Sequence, residues 1–164
     1  MSKSIDVDFS YYNPINRQQR EFHESPARHK LLIGGYGSGK TYPAIHESLF
    51  HCFQNSRHEF LVARNTWDSL EQNIEKEFYR VARDANAIKS FKEHNMVLQN
   101  DTVVQFRPLT LGREQFKGLN ICGYFIDDPD INKYAHTISF LDSRLRNSPR
   151  ASASRFQTII TANY

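Results

Sequence analysis

Gly34-Gly35-Tyr36-Gly37-Ser38-Gly39-Lys40-Thr41 fits the pattern G-x-x-x-x-G-K-[ST], and its surroundings give that pattern a physical meaning. The apolar run Lys30-Leu31-Leu32-Ile33 precedes it and is typical of a buried strand. After it, apolar side chains recur at helical spacing, at Ala44, Ile45, Leu49 and Phe53. Strand, glycine-rich turn and helix in this order predict a phosphate-binding loop. The alternative, a glycine turn that matches by chance, is disfavoured because both flanking elements are present.

The predicted loop supplies several kinds of contact to a nucleotide. Its glycines let the backbone wrap with N–H groups pointing inward, and the helix N-terminus adds partial positive charge. Lys40 is expected to reach the β- and γ-phosphates, and the Thr41 hydroxyl to ligate Mg²⁺. Pro43 is compatible with the helix, because first-turn N–H groups have no partner within it. ATP and Mg²⁺ are therefore the expected cofactors.

Composition narrows the class of protein. The chain has 164 residues, 39% hydrophobic and 24% charged, as expected for one soluble globular domain. No apolar run is long enough to cross a bilayer, and the segment Met1–Asp6 lacks the apolar stretch of a secretion signal. Cys52 and Cys122 are expected to be buried thiols, and the seven histidines show no metal-ligand spacing. The net charge of +3 permits a nucleic-acid partner without arguing for one.

The remaining chain alternates predicted helices and strands. A short helix precedes the loop around Gln18–Phe22, and a long helix capped by Thr66 or Asp68 follows it, with the apolar face Leu70, Ile74, Phe78, Val81 and Ala85. Strands are predicted at Glu59–Arg64, Cys122–Ile126 and Phe156–Ile160, and Asn100-Asp101 is predicted to turn a hairpin between Met96–Leu98 and Thr102–Phe106. This alternation predicts an α/β fold, a mostly parallel sheet with helices on both faces and an inserted β-hairpin.

A second candidate site follows the strand Cys122–Ile126. Asp127 is placed to hold the hydration shell of Mg²⁺, and Asp128 to orient or deprotonate the attacking water. The alternative for the run Asp127-Asp128-Pro129-Asp130 is an acidic helix N-cap, since carboxylates favour that position. The strand, helix and hairpin between Lys40 and this run favour the metal site.

The order of the predicted strands, helices and motifs along the chain indicates one class of P-loop NTPase. A strand and a helix separate the loop from the acidic run, and a later strand ends in Thr161-Ala162-Asn163. This is the layout of the ASCE, RecA-like class, which includes helicases and DNA pumps. A nucleotide kinase needs an arginine-rich lid and a second substrate site, and the chain shows no clear one.

In these motifs the chain resembles the ATPase half of the large terminase subunit of tailed bacteriophages, the motor that packages DNA into proheads. The resemblance runs from about Asn13 to Tyr164 and rests on six motifs in the family's order. Besides the phosphate loop, they are Gln19-Arg20-Glu21-Phe22-His23, Phe60 to Thr66, Leu98 to Thr102, Phe116 to Asn120 leading into Asp127-Asp128, and Ser143-Arg144-Leu145-Arg146 with Thr161-Ala162-Asn163.

The resemblance implies roles for further residues. Gln19 corresponds to the glutamine that contacts adenine, and Asn163 to the coupling motif. Arg144, with Arg146 second, corresponds to an arginine finger inserted into a neighbouring subunit's site. A DNA phosphate contact and a solvated loop are alternatives for this arginine segment, and the solvated loop suits Arg150 and Arg155 better. Arg64 is interpreted as either a strand-end charge or a DNA-facing or coupling residue.

The implied function is ATP hydrolysis that drives double-stranded DNA into proheads. The implied partners are DNA, a homo-oligomeric ring that is pentameric in the family, the portal protein and the small terminase subunit, in the host cytoplasm and without a membrane. Two alternatives are a helicase-like ATPase that remodels nucleic acid and a nucleotide-binding assembly module without hydrolysis.

Three departures from the family are visible. Asp128 stands where the family commonly has glutamate, followed by an unusual Pro129, and Tyr36 stands where many members have a basic residue in the loop. The sequence also stops directly after the coupling motif. Residues 1–164 are therefore expected to form a single ATPase domain that lacks the nuclease domain, nuclease activity and the last strand of the sheet.

Overall fold

The computed structural model describes residues 6–147 and 155–164. The strands are β1 (His29–Gly34), β2 (Glu59–Arg64), β3 (Ile88–Lys92), β4 (Asn95–Leu98), β5 (Val103–Pro108), β6 (Ile121–Asp127) and β7 (Gln157–Asn163). The α-helices are α1 (Arg17–Glu24), α2 (Thr41–Gln54), α3 (Trp67–Ser69), α4 (Lys76–Asp84), α5 (Gly112–Phe116) and α6 (Ile131–Asp142). A π-helical segment, Leu70–Glu75, joins α3 to α4, and Leu109–Leu111 form one 3₁₀ turn.

The described strands form one sheet in the order β1-β7-β6-β2-β5-β4-β3. β1, β7, β6, β2 and β5 run parallel to one another, whereas β4 pairs antiparallel with β5 and with β3. The predicted fold class, a mostly parallel α/β sheet with a hairpin, is confirmed. None of the helices in the described ranges is both long and apolar enough to cross a membrane.

Two apolar cores cover the two faces of the sheet. One includes Ala44, Ile45 and Leu49 of α2, Phe78 and Val81 of α4, and Phe60, Val62 and Phe125 of the strands. The other includes Phe116 of α5, Tyr134, Ile138 and Leu141 of α6, and Leu61, Tyr124 and Ile126 of the strands. Cys52 and Cys122 are free and buried in the first core, as predicted. β6, with core on both faces, is buried along its whole length.

The predicted long helix begins where its cap was placed. The Thr66 side chain accepts a hydrogen bond from the backbone N–H of Ser69, and the Ser69 side chain accepts one from the backbone N–H of Thr66, so the cap is Thr66 and not Asp68. All five residues of the predicted apolar face are buried. The structure adds the π-helical segment, whose wider turn was not predicted.

The predicted hairpin is confirmed, and the structure adds a strand to it. Asp101 has a φ of +65°, and the Leu98 N–H donates to the Thr102 carbonyl at 2.9 Å across the turn. β3 was not predicted. It joins β4 through Glu93 and His94, which have φ values of +52° and +62° although neither is glycine or asparagine. Between β5 and β6, the predicted polar link from Leu111 to Leu119 contains the short helix α5.

A bulge in β6 requires a glycine at position 123. Glu59 of β2 pairs with Ile121 but the next residue, Phe60, pairs with Gly123, which leaves Cys122 as the extra residue. A Cβ at Gly123 would lie 2.3 Å from the Gln157 carbonyl oxygen and 2.9 Å from the Phe60 ring. No side chain fits there without movement of β7.

Gly123→Ala is therefore expected to destabilise the protein by about 3 kcal/mol, because the obstructing atom belongs to the backbone of a central strand. Urea unfolding followed by circular dichroism measures the change. Gly118→Ala is the matched control, since a Cβ there meets nothing within 4 Å. Equal stabilities of the two variants would contradict the assigned packing.

Two buried histidines on α2 make stability depend on pH. Burial lowers the pKa of His46 and of His51 from 6.5 to about 4. His46 stacks on Tyr12 at 3.8 Å, and His51 Nε2 lies 2.9 Å from the Cys122 carbonyl oxygen at the bulge. Both imidazoles are therefore neutral in the folded protein at pH 7.

The free energy of unfolding is expected to fall as pH falls from 6.5 to about 4. In that range the unfolded chain binds protons at these imidazoles and the folded protein does not, so acid favours unfolding. Urea titrations at pH 7 and pH 5 measure the slope. His46→Gln is expected to flatten it, and His136→Gln, an exposed histidine, to leave it unchanged. An unchanged slope in His46→Gln would contradict this assignment.

Candidate active site

A cleft of about 330 Å³ lies at the edge of the sheet where the parallel strands β7, β6 and β2 end. Side chains at the carboxyl ends of parallel strands meet at one edge, which is where α/β proteins bind ligands. The cleft is lined by Tyr36, Gly37, Ser38, Gly39, Lys40, Thr41, Tyr42, Arg64, Glu77, Asp127, Asp128, Thr161 and Asn163. The structure thus brings the predicted loop, acidic run and coupling motif into one site.

The loop backbone has the shape that the glycine pattern predicts. Gly37 and Gly39 have φ values of +72° and +77°, which favour glycine. At Gly34, an added Cβ would lie 2.7 Å from Ser38 Oγ. Helix α2 begins at Thr41, directly after the loop, so its free first-turn N–H groups face the end of the cleft. The arrangement is that of a phosphate-binding loop.

Lys40 lies folded against the loop and against β7. Its Nζ donates to the carbonyl oxygens of Gly34 and Gly35 at 3.0 and 2.8 Å and to Asn163 Oδ1 at 2.9 Å. The Lys40 ammonium group is thus held at the loop by these three oxygen acceptors. The bond to Asn163 links the predicted coupling motif directly to the phosphate loop.

Asp127 is the centre of the candidate metal site. Its Oδ1 accepts hydrogen bonds from Thr41 Oγ1 at 3.1 Å and from Thr161 Oγ1 at 2.7 Å, and the residue is only 6% exposed. Hydroxyl and carboxylate oxygens suit Mg²⁺, which takes its other ligands from phosphates and water. Within the described ranges, no three His, Cys, Asp or Glu side chains gather into a metal site.

The sequence left open whether the acidic run at residues 127–130 caps a helix or lines a metal site, and Asp128 and Asp130 differ in this respect. Asp130 is the N-cap of α6, where its side chain accepts from the Lys133 N–H. Asp128, with a φ of +48°, is fixed by its backbone, whose N–H donates to the Thr161 carbonyl at 3.0 Å and whose carbonyl accepts from Asn65 Nδ2 at 3.1 Å. The N-cap interpretation therefore applies to Asp130, and the carboxylates of Asp127 and Asp128 line the cleft.

Gln19 lies on the other side of the loop. It shares a cavity of about 260 Å³ with Gly34, Gly35 and Tyr164, and a Cβ added to Gly39 would lie 3.9 Å from Gln19 Nε2. Its Oε1 accepts from the Ile15 N–H at 3.1 Å, which orients the side chain. The predicted adenine residue is thus placed beside the loop.

A buried ion-pair network fastens α1, which carries Gln19, to α2. Glu47 of α2 accepts hydrogen bonds from Lys30 Nζ at 2.6 Å and contacts His23 Nδ1 at 2.6 Å. The pKa of Glu47 is lowered; burial alone raises it, but these two partners outweigh burial. Tyr12 Oη extends the network to His23 Nε2 at 2.6 Å. The position of Gln19 is therefore coupled to the helix that starts at the loop.

Three lining residues, Tyr42, Arg64 and Glu77, were not assigned to this site from the sequence. Arg64 ends β2, and its Nε lies 3.5 Å from Asp127 Oδ2. Glu77 reaches the cleft from α4, where it also pairs with Arg80. The available signal for Arg64 was its place at the end of a parallel strand; nothing in the sequence pattern marks Glu77.

Arg144 lies away from the chain's own cleft. Its carbonyl accepts from the N–H of Ile121, the first residue of β6, whereas the cleft lies beyond Asp127 at the other end, roughly 20 Å along the strand. The guanidinium donates to the Lys117 carbonyl at 2.7 Å. Arg146 lies at the same end of β6, Arg155 is exposed, and Arg150 falls outside the described residues.

Comparisons with known proteins agree with this fold. Residues 31–158 match the family described as terminase large subunit, T4likevirus-type, N-terminal. Among solved structures, the large terminase of the thermophilic bacteriophage D6E is similar with a TM-score of 0.68 and 14% identity, over 92% of this chain and 39% of that one. It has also been solved with ADP and with ATP-γ-S. No curated protein matches the chain.

Two further structures contain ATPase domains alone. The large terminase ATPase domain of Thermus phage P74-26 has a TM-score of 0.61 and 15% identity, over 92% of this chain and 65% of that one. The N-terminal domain of the DNA packaging ATPase from bacteriophage phi29 has a TM-score of 0.60 and 16% identity, over 93% and 78%. The chain thus spans less than two thirds of the length of the D6E and P74-26 proteins that share its fold.

Proposed function

The chain belongs to the T4likevirus-type terminase large subunit family and matches its N-terminal region, and we propose that it binds ATP with Mg²⁺ in the cleft and hydrolyses it. The work of hydrolysis drives double-stranded DNA into proheads. One observation carries this proposal: Thr41 of the loop and Thr161 of β7 converge on the same carboxylate oxygen of Asp127, next to Lys40.

Each residue of the cleft has a proposed part in hydrolysis. Lys40 leaves the carbonyls of Gly34 and Gly35 for the β- and γ-phosphate oxygens. Thr41 and Asp127 would hold Mg²⁺, which would neutralise charge on the phosphates. Asp128 orients a water and takes its proton as the water oxygen attacks the γ-phosphorus. The bond from that phosphorus to the bridging oxygen breaks, and ADP and phosphate leave.

Strand β7 is proposed to transmit the nucleotide state. Thr161 touches the metal-site carboxylate, and Asn163, two residues on, touches Lys40. A change of partner by Lys40 or Asp127 therefore alters the contacts of the same strand. Gln19 is proposed to contact the adenine from the adjoining cavity.

The family assigns the chain to DNA packaging machinery. The specific partners proposed are double-stranded DNA, further copies of the chain in a ring, the portal protein and the small terminase subunit, in the host cytoplasm. A ring is supported by the position of Arg144, which can serve a phosphate site only in another copy.

Asp127→Asn is expected to lower Mg²⁺-dependent ATP turnover by about 10²-fold or more, since the amide removes the charge that holds the metal and keeps the size of the side chain. Phosphate release across a Mg²⁺ titration measures it. The control is Asp68→Asn, an exposed carboxylate in the first turn of α3. Unchanged turnover and Mg²⁺ dependence in Asp127→Asn would rule out the metal assignment, and ATP binding by the wild type without turnover would favour an assembly module.

A further inference from the structure

We propose that Arg64 is a further catalytic residue of this cleft. It pairs with Asp127 and, when ATP is bound, supplies its guanidinium to the γ-phosphate oxygens of the same subunit. This role rests on the proposed ATPase function. It differs from the strand-end and DNA-facing roles that the sequence suggested for Arg64, and from the finger expected of Arg144 in a neighbouring copy.

Besides the Mg²⁺ proposed to enter with the nucleotide, the described lining of the cleft offers two cationic side chains to the phosphates. The lining residues include two cations, Lys40 and Arg64, and three carboxylates, Glu77, Asp127 and Asp128. The protein lining therefore carries a net charge of −1 before a polyanionic nucleotide enters. Lys40 is a point charge already shared among loop carbonyls and Asn163. Arg64 is the other positive group that the described lining offers to the γ-phosphate.

The position of Arg64 is set by the sheet. Ala63 of β2 pairs with Ile126 of β6, so the next residues of the two strands, Arg64 and Asp127, lie side by side at the edge of the cleft. Both hydroxyl donors, Thr41 and Thr161, use Oδ1 of Asp127. Arg64 Nε approaches the other oxygen, Oδ2, at 3.5 Å. Arg64 therefore contacts the metal-site carboxylate without displacing its hydroxyl partners.

The guanidinium has donors left for a phosphate. Besides the Asp127 contact, its Nη1 donates to the Ser69 carbonyl at 3.4 Å, near the limit for a hydrogen bond. A guanidinium carries five N–H donors in a planar fork that matches phosphate oxygens. Both observed contacts are long, so rotation of the side chain toward a phosphate sacrifices little.

Burial separates this role from the alternatives. The Arg64 side chain is 20% exposed and turned toward Asp127. A strand-end charge without a function would extend into water, and a residue that binds DNA phosphates would need to reach the outer surface. A cation held against a cleft for an anion is best explained by that anion.

The test compares nucleotides that differ in the γ-phosphate. Calorimetry with Mg²⁺ measures the affinities for ADP and ATP-γ-S in the wild type, Arg64→Gln and Arg64→Lys, and phosphate release measures kcat. Arg64→Gln is expected to lose about 10- to 100-fold in ATP-γ-S affinity and at least about 10²-fold in kcat, with ADP affinity changed little. Arg64→Lys, which keeps the charge without the fork, is expected to recover part of the ATP-γ-S affinity.

Arg107→Gln is the matched control. Arg107 is the penultimate residue of the neighbouring strand β5, pairs in register with Ala63 and donates to the Gln115 carbonyl outside the cleft. It is expected to leave both affinities and kcat at wild-type values. Thermal unfolding of every variant identifies losses that come from the fold.

The outcomes separate this role from the proposed function. Equal losses of ADP and ATP-γ-S affinity in a folded Arg64→Gln protein, or no loss of either affinity or of kcat, would overturn the role of Arg64 while the ATPase assignment stands. A wild type that binds neither nucleotide would overturn both. A loss confined to ATP-γ-S and kcat supports the proposal.

Discussion

Lys40→Ala is expected to abolish measurable ATP binding and hydrolysis. Lys40 and Arg64 are the two cations among the described residues that line the cleft, and Lys40 Nζ lies 2.8 Å from the Gly35 carbonyl oxygen and 2.9 Å from Asn163 Oδ1. Loss of one such charged donor costs about 10²–10³ in turnover by itself. Here the affinity that brings the phosphates into the loop is lost as well.

Calorimetry and phosphate release with Mg²⁺-ATP measure both losses. The control is Lys117→Ala, an exposed lysine paired with Glu114 at 2.7 Å. Because Lys40 also bonds to β7, circular dichroism and thermal unfolding must show that the variant is folded. A folded Lys40→Ala protein with wild-type affinity and turnover would show that residues 34–41 are not the phosphate loop.

Mixing two inactive variants, Lys40→Ala and Arg144→Ala, is expected to restore ATP hydrolysis. Arg144 lies at the Ile121 end of β6, away from its own cleft, so its guanidinium can reach a γ-phosphate only in a neighbouring copy. A mixed assembly pairs an intact Lys40 site with an intact Arg144 from the next copy. An arginine finger contributes about 10³–10⁵ in rate, so restoration should stand far above the background of either variant.

Wild-type turnover is expected to rise more than linearly with protein concentration, because each site needs Arg144 from a neighbouring copy. Tyr36, the exposed residue at the tip of the loop, brings no charge that could replace a finger. Arg155→Ala, which removes an exposed arginine side chain, is the control and should keep wild-type turnover. Fast turnover by the wild-type monomer, independent of concentration, would refute a finger in trans.

The parts of this protein that could be predicted are those encoded in adjacent residues. The loop and α2 follow from Gly34 to Thr41 and its apolar flanks, and the long helix follows from the Thr66 cap and a periodic apolar face. β1 also forms where it was predicted, but the expectation that it is buried was wrong, because β1 lies at the edge of the sheet and Leu31 and Ile33 are exposed. β3 could not be predicted because its turn, Glu93-His94, adopts positive φ values without a glycine or asparagine to mark it. Tertiary packing there overrides the turn preference of the residues.

The site residues that could be predicted are those that belong to motifs recognisable in the sequence. Lys40, Thr41 and Asp127 carry patterns of their own, and the structure brings them together. Arg64 and Glu77 enter the cleft through the strand order and through the placement of α4, which no local pattern encodes. The place of Arg64 in the cleft follows only from the strand order, in which β2 lies next to β6.

The pairing of β1 has a consequence for the order in which the chain folds. Among the described strands β1 is bonded only to β7, which is the last of them to be synthesised, and His29 pairs with Thr158. Contacts that close so large a loop form late, because the chain loses the entropy of loop closure before these contacts add any stability. On the ribosome, residues 34–41 therefore emerge long before Thr161 and Asn163, the two residues that complete their surroundings. A nascent chain is expected to gain nucleotide affinity only when β7 inserts between β1 and β6, so nucleotide binding is expected to follow the folding of the earlier strands and not to guide it.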